Sequence, residues 1–436
     1  KNVIGFFGDA MQSIYDDGIG DLNEYIEKSA IQEIKKEQNR RNPQLVIDLA
    51  NKLRTDCITQ KASSDIKAPN MQDHQIKQGS VLFIYSQNGG IEQLKIFLSN
   101  EHGWDFSDSS KTKELNLTHN LIAEKAGFKT LMDIYDKDPI IALKDDILER
   151  WKTSKSIHIN EEDSFDQVVD QMQLRNKERQ LKKEVLLHKH PELYNSLKDK
   201  PFKEVKKIYF SKDQLIDDKK QDENDENKKG SKRDNLINHL FKIQNNINLY
   251  QAKQYNEFLR KTEYEIKNIE SKIALKKKIE ELANTDDKTI EEIIKLANES
   301  GICLIDDKLD NFKNHNEYLY NRVEGVKFSE FQKLYEYLEG KTPFSTQHKT
   351  KGSEYDNVLV ILDNGNWNKY NFEYLFAPLE KNSDSTDRVL KRTRKIFYVC
   401  CTRAKENLAV FYHEPSEAVI EKAKTWFGES NVINLG

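Results

Sequence analysis

The stretch Phe344-Ser345-Thr346-Gln347-His348-Lys349-Thr350-Lys351-Gly352-Ser353-Glu354-Tyr355-Asp356 runs directly into the apolar segment Asn357 to Leu362. Hydroxyl, imidazole, ammonium and carboxylate groups crowd one loop ahead of a segment that reads as a buried strand, a place where α/β folds build ligand sites. Gly352 permits close backbone approach there. Taken alone, these residues also read as a plain polar loop. Three more short, β-rich apolar runs lie outward from this point: Val3 to Phe7, Ser80 to Tyr85 and Leu408 to Tyr412. They cluster at the two ends of the chain and are apolar on both faces, which predicts a parallel sheet covered by helices.

With 436 residues and 37% hydrophobic content, the chain is expected to form more than one domain. Charged residues make up 33%, yet the formal net charge is only -4, and the mean hydropathy is -0.81. A uniformly basic coat is excluded, so any nucleic-acid contact uses a local groove. Cys57, Cys303, Cys400 and Cys401 show no CxxC spacing and fit a reducing, cytoplasmic setting. No apolar run reaches the roughly 18 to 20 residues that span a bilayer, so no membrane is expected. The start, Lys1 to Gly8, reads as a strand with no initiator Met and no signal-peptide cleavage site, which predicts a piece of a longer polypeptide.

From about Glu101 to Phe328 the character changes to charged, helix-forming sequence whose prolines are Pro139, Pro191 and Pro201. This reads as a helical insertion into an α/β domain. Ser164-Phe165-Asp166-Gln167 has capping-box form ahead of Val168, Val169, Met172 and Leu174. A second helix is expected through Leu259, Ile266, Ile269, Ile273 and Leu282, and a third from Thr289 to Ser300, with Asp287 as N-cap and Gly301 as its stop. All three read as amphipathic core helices. Asp217 to Gly230 has no apolar residue to offset the entropy of ordering and is expected to be a flexible loop.

Three further segments carry candidate chemistry. Gly8-Asp9-Ala10-Met11-Gln12-Ser13-Ile14-Tyr15 offers a glutamine that can bond a phosphate oxygen or a water, and a tyrosine face for a base; an ordinary strand exit is the alternative. Gln38-Asn39-Arg40-Arg41-Asn42-Pro43 precedes a helix that Asn42 would cap, and guanidinium groups near a helix start suit an anion. A surface arginine pair is the bland reading. Arg392 to Lys405 contains a buried segment, Phe397 to Cys401, that sets Arg403 at its end, where a guanidinium can meet a phosphate. Cys400 and Cys401 read as packing residues. His188 and His190 stand two apart without carboxylate or cysteine partners, so no metal site is expected.

The series GDAMQSIY, NRRN, TQHKTKGSEYDNV and YVCCTRAKENL, in that order, resembles motifs III, IV, V and VI of the UvrD/Rep superfamily 1 DNA helicases. The resemblance implies a RecA-like, P-loop NTPase-type α/β domain interrupted by a large, mainly helical insertion. It implies that Gln12 senses the γ-phosphate and that Arg41 and Arg403 act as arginine fingers. Glu354 would bind the ribose, with Arg40 and Gly352 beside the nucleotide. Thr346, His348 and Lys351 would lie along single-stranded or partially duplex DNA, and Tyr15 near stacked bases. By the same resemblance, residues 1–22 end a first motor domain and 23–100 begin the second. Residues 101–328 form the accessory insertion, with a flexible loop near 217–234, and 329–436 complete the second motor.

The chain departs from the family where Asp16-Asp17-Gly18 replaces an aromatic, an arginine and a glycine, and where Arg40 stands in place of the tyrosine that lies on the adenine. No GxxxxGK[ST] loop and no DExQD-like cluster occurs in it. The expected function is therefore that of the C-terminal half of an ATP-dependent 3′ to 5′ helicase, inactive alone, with ATP and Mg²⁺ used by the intact parent and the missing N-terminal motor domain as its partner. Two other readings remain: a non-catalytic nucleic-acid-binding or partner-binding module, and a helical scaffold that recruits a DNA repair or defence partner.

Overall fold

The computed structural model describes residues 5, 7–14, 25–26, 31–154, 157–217, 232–378 and 383–436. The expected strand Val3 to Phe7, the site residue Tyr15, the Asp16-Asp17-Gly18 departure and most of the expected loop from Asp217 onward lie outside them. The chain divides into two compact units, residues 1–126 with 336–436, and residues 127–335.

The first unit is built on a six-stranded sheet: β1 (Ser80–Ser86), β2 (Thr112–Asn116), β3 (Phe344–Thr346), β4 (Tyr355–Ile361), β5 (Ala404–His413) and β6 (Val432–Asn434). Their spatial order is β6-β1-β5-β4-β2-β3, and every pairing is parallel. Side-chain alternation sends Val81, Phe83, Val358, Val360, Leu408 and Val410 to one apolar layer. Leu82, Ile84, Leu359, Ile361, Ala409 and Phe411 go to the other. Helices α1 (Gln44–Leu53), α4 (Asp384–Cys401) and α5 (Glu417–Phe427) cover the first face, and α2 (Ile91–His102) covers the second. Helix α3 (His119–Ala126) follows β2. Burial on both faces is why these strands read as continuous apolar runs.

β2 corrects the expected boundary at residue 101. Its sequence, Thr-Lys-Glu-Leu-Asn, carries no apolar run, yet it lies inside the sheet between β4 and β3. Glu114 is fully buried and its carboxylate meets Lys95 at 3.1 Å and Lys125 at 2.9 Å. Burial alone would raise the Glu114 pKa; the two ammonium groups outweigh it and hold the carboxylate below its usual range. Residues 101–126 therefore belong with the sheet.

The second unit, 127–335, is helical. Asp138 caps Pro139–Thr153, and Pro139, Pro191 and Pro201 all stand at helix starts, where their missing N–H costs nothing. The Ser164–Gln167 capping box forms over Phe165–Met172. Thr289, not Asp287, caps Ile290–Ser300, because its hydroxyl is placed to accept from the Glu292 N–H; Asp287 pairs with Lys327. Gly301 ends that helix in the left-handed region. The single helix expected from Leu259 to Leu282 is two, Tyr255–Thr262 and Ile269–Ala283, with Glu263 left-handed between them. Ile269 and Ile273 are 73% and 64% exposed, so they are not core.

Asp234 caps Asn235–Gln251 by accepting from the Ile237 N–H at 2.8 Å, and also accepts from the Tyr135 hydroxyl at 2.6 Å. Burial raises its carboxyl from 3.8 to about 6, a difference of about 3 kcal/mol between protonation states. Because the folded pKa is the higher one, the folded state binds more protons between those values, and this contribution to stability is lost as pH rises from about 4 to about 6. Asp234→Asn keeps the capping oxygen and removes the titration. The expected result is that wild type gains stability relative to the variant on acidification through this window, read by urea unfolding of Trp151, the unit's tryptophan. A constant difference between the two proteins from pH 4 to pH 7 would contradict it.

Candidate functional site

The starts of β4 and β5 hold three of the residues singled out from sequence. Glu354 immediately precedes β4, Arg403 immediately precedes β5, and the Tyr355 N–H donates to the Arg403 carbonyl at 3.0 Å. Asn42, expected as a helix cap, is instead a clamp. Pro43 takes the N-cap position of α1, while the buried Asn42 amide donates to the carbonyls of Thr402 (3.0 Å) and Ala404 (2.8 Å). That clamp fixes Arg41 beside the turn containing Arg403. The Arg41 Nε donates to the Glu354 carboxylate at 2.5 Å, at the protein surface.

The Arg403 side chain is 1% exposed. Its Nε donates to the Val399 carbonyl at 3.0 Å, one Nη to Ser353 O at 3.3 Å and the other to Thr402 Oγ1 at 3.2 Å. Burial and then the Arg41 charge pull its pKa down to about 10, so it remains charged at neutral pH. Two guanidinium groups that sense each other, one anchored and one surface-held, form a point where an anion is favoured. Arg40 does not join them; it pairs with Asp65 at 2.7 Å.

Gln12 lies in a 3₁₀ turn, Ala10–Gln12, whose Met11 packs into the core that covers the sheet. Its amide donates to Asp9 Oδ2 at 3.1 Å. Asp9 also accepts from Arg54, which is 4% exposed and paired with Asp56 as well. Burial opposes the Arg54 charge; its hydrogen bonds to Asp56 and Asp9 outweigh it and raise its pKa. The Tyr398 hydroxyl completes the group, and burial followed by Asp9 pushes it up to about 12.

Thr346 ends β3, and its Oγ1 accepts from the Lys349 N–H at 3.3 Å. His348 lies at the opposite end of the sheet from Arg403. Its Nε2 is 2.7 Å from the Tyr370 hydroxyl, and its ring contacts those of Tyr370 and Trp367, centroids 5.5 and 5.8 Å away. Beside this cluster, past the C-terminal ends of β4 and β5, a cavity of about 610 Å³ is lined by Asn364, Trp367, Tyr370, Asn371, Tyr412 and His413, among others. Such crevices are where parallel sheets bind ligands. The segment 347–354, with Lys351 and left-handed Gly352 in it, then returns to Glu354 at the other end of the sheet. Buried Gln347 ties it down by donating to Ile361 O at 3.1 Å.

Sequence reading missed Asp9, Arg54, Tyr398, Trp367 and Tyr370. Aromatics interleaved with asparagines in Asp363 to Asn371 were a signal for the last two. The others meet across hundreds of residues and leave no local pattern. Burial pushes the Cys400 and Cys401 thiols up, as suits packing residues. Among the described residues no group of three or more His, Cys, Asp or Glu is placed to hold a metal ion, and no helix is long and apolar enough to cross a membrane.

The family model for the UvrD-like helicase C-terminal domain matches residues 155–415. The chain is also similar to the Gabija protein GajB of Bacillus cereus (strain HuB5-5), 26% identical over 439 residues. That alignment takes in 98% of this chain and 56% of the relative, so the chain spans little more than half of that protein's length. The six-stranded parallel sheet and the many helices agree with that match, which takes in more than half of the chain: this chain belongs to the UvrD-like helicase C-terminal domain family.

Proposed function

We propose that this chain is the C-terminal half of an ATP-dependent DNA helicase or translocase, with the sheet unit as its second motor domain and 127–335 as its accessory insertion. The observation that carries this reading is the meeting of Arg41 and Arg403 at the start of β4 and β5. A guanidinium pair on a domain that holds no phosphate-binding loop of its own is suited to phosphates presented by another domain. ATP is the substrate, and Mg²⁺ would be held outside this chain's described residues. Arg41 and Arg403 would bear the charge that develops on the phosphates. Glu354, now occupied by Arg41, would exchange that partner for the ribose. Gln12 would read the γ-phosphate.

At the other end of the sheet, His348, Thr346 and Lys351 would follow single-stranded DNA, and the resemblance implies movement in the 3′ to 5′ sense. Alone, the chain would not turn over ATP, for want of a phosphate cradle. A non-catalytic DNA-binding module is the second reading; the Arg40–Asp65 pair favours it, since Arg40 is not presented to an adenine. A cytoplasmic setting and a repair or defence partner belong to the same proposal.

The test is DNA-stimulated ATP hydrolysis and displacement of a strand from 3′-tailed duplex, using the full-length parent polypeptide. Stimulated turnover with 3′-tail preference is the expected result, and a well-folded parent with none sinks the motor reading. Within that assay, His348→Ala removes one ring of the aromatic cluster, and loss of one base stack raises the DNA concentration for half-maximal stimulation about tenfold. An unchanged DNA requirement would remove His348 from the track.

A further inference from the structure

The Gln12 side chain and the Arg41 backbone are joined by an unbroken run of hydrogen bonds. Gln12 Nε2 donates to Asp9 Oδ2 (3.1 Å), the Tyr398 hydroxyl donates to the same oxygen (3.3 Å), and Gln60 Nε2 donates to the Tyr398 oxygen (3.1 Å). Asn39 Nδ2 then donates to Gln60 Oε1 (2.9 Å), and the Arg41 N–H donates to Asn39 Oδ1 (2.9 Å). The run draws on four parts of the chain: the turn at 9–12, the segment 39–41, Gln60 and helix α4.

Its directions are mutually fixed. Gln60 spends its N–H on Tyr398, so the tyrosine must spend its own proton on Asp9. Asn39 spends its N–H₂ on Gln60 and Asn42, which leaves its oxygen to accept the N–H groups of Arg41 and Asn42. One orientation of each amide satisfies the whole set, and reversing one breaks the next link. Arg54 holds the middle in place by bonding Asp9 and the Tyr398 hydroxyl (2.6 Å) together. Tyr398 reaches the second arginine too: its carbonyl accepts from Thr402 Oγ1 at 2.9 Å, and that oxygen accepts from Arg403.

We propose that Asp9, Tyr398, Gln60 and Asn39 form a positioning relay that sets Arg41 according to the orientation of Gln12, with Tyr398 as its central member. None of these four touches nucleotide; each acts through the next. The relay rests on the motor reading above, and it adds that sensing and charge stabilisation are one coupled unit joining the turn at 9–12 to the segment 39–41. A tyrosine that is merely packed in the core owes its place to its ring, whereas a relay depends on its hydroxyl.

The experiment uses the full-length parent. Tyr398→Phe, which keeps the ring but loses the hydroxyl's bonds to Asp9, Gln60 and Arg54, is expected to stay folded with a somewhat lower melting transition and to lower DNA-stimulated kcat roughly tenfold while KM for ATP stays within about twofold. Gln60→Ala, at a partly exposed position one link further on, is expected to repeat that split, and it keeps the test sound if the phenylalanine variant folds poorly. In the cycle with Gln12→Ala, the double variant Gln12→Ala/Tyr398→Phe is expected to be no slower than Gln12→Ala within about twofold, because one path cannot be cut twice. Losses that multiply, a change confined to KM, or full activity in both Tyr398→Phe and Gln60→Ala overturn the relay. A wild-type parent without DNA-stimulated turnover overturns the motor reading itself; an active wild type with insensitive variants overturns only the relay.

Discussion

Arg403→Ala in the full-length parent is expected to lower DNA-stimulated ATP hydrolysis by about 10³-fold or more, the range in which an arginine finger contributes to phosphoryl transfer. Arg403 is anchored rather than waving: three acceptors, Val399 O, Ser353 O and Thr402 Oγ1, hold the fork, so little ordering is left to do when a phosphate arrives. Its charge is secure at neutral pH, because burial and Arg41 bring its pKa only to about 10. Arg403→Lys keeps a charge but cannot reproduce the planar fork, so it is expected to recover only a small part of the loss. The measurement is steady-state turnover at saturating single-stranded DNA, with thermal melting as the check on folding. An alanine variant that melts like wild type and turns over within threefold of it would show that Arg403 is a structural arginine that ties α4 to β4.

The contrast between Arg41 and Arg403 explains why the motif residues were legible while their arrangement was not. Both arginines are visible in the sequence by type and order. Their meeting depends on Asn42, whose reading as a local helix cap was reasonable from Asn42-Pro43 and whose amide in fact spans to Thr402 and Ala404. Local rules see only neighbours in sequence. The sheet divides in the same way: β1, β4 and β5 announce themselves by apolar runs, because both their faces are covered. β2 does not, since all five of its residues are buried and only Leu115 is apolar; Lys95 and Lys125, from helices that flank it in sequence, pair with Glu114, and Lys113 donates to the carbonyls of Gly340 and Thr342. β3 and β6 span three residues each and fall below any periodicity. In the helical unit, the steps from Leu259 to Leu282 matched one helix in spacing, but a left-handed Glu263 breaks it and turns Ile269 and Ile273 outward.

Arg54 had no sequence signal at all, yet its removal is expected to be among the most destabilising single changes in the sheet unit. Arg54→Ala leaves the carboxylates of Asp9 and Asp56 facing each other in a site where Arg54 is 4% exposed and they are 20% and 19% exposed. Deleting one partner of a buried ion pair typically costs about 3–5 kcal/mol, because the remaining charges stay desolvated. The lost bond to the Tyr398 hydroxyl and the contact of the guanidinium with the Tyr398 ring add to that. Urea unfolding followed by Trp104, Trp367 and Trp426 reads the sheet unit, and a Trp151→Phe background removes the tryptophan of the other unit. The pH dependence separates ion pairing from packing. Burial opposes the Asp56 charge and Arg54 outweighs it, so the folded pKa of Asp56 lies below its ordinary 3.8. A depressed carboxylate contributes stability above its ordinary pKa and loses that contribution as pH falls through the folded value. Wild type therefore loses this stabilisation in acid while Arg54→Ala has none to lose, and the gap between them narrows as pH drops from 6 towards 3. A gap that stays constant over that range would assign the loss to the missing side-chain volume, and a variant within about 0.5 kcal/mol of wild type, the scale of an unremarkable surface change, would mean that Asp9 and Asp56 find other partners and that Arg54 does not hold the turn of Gln12 in place.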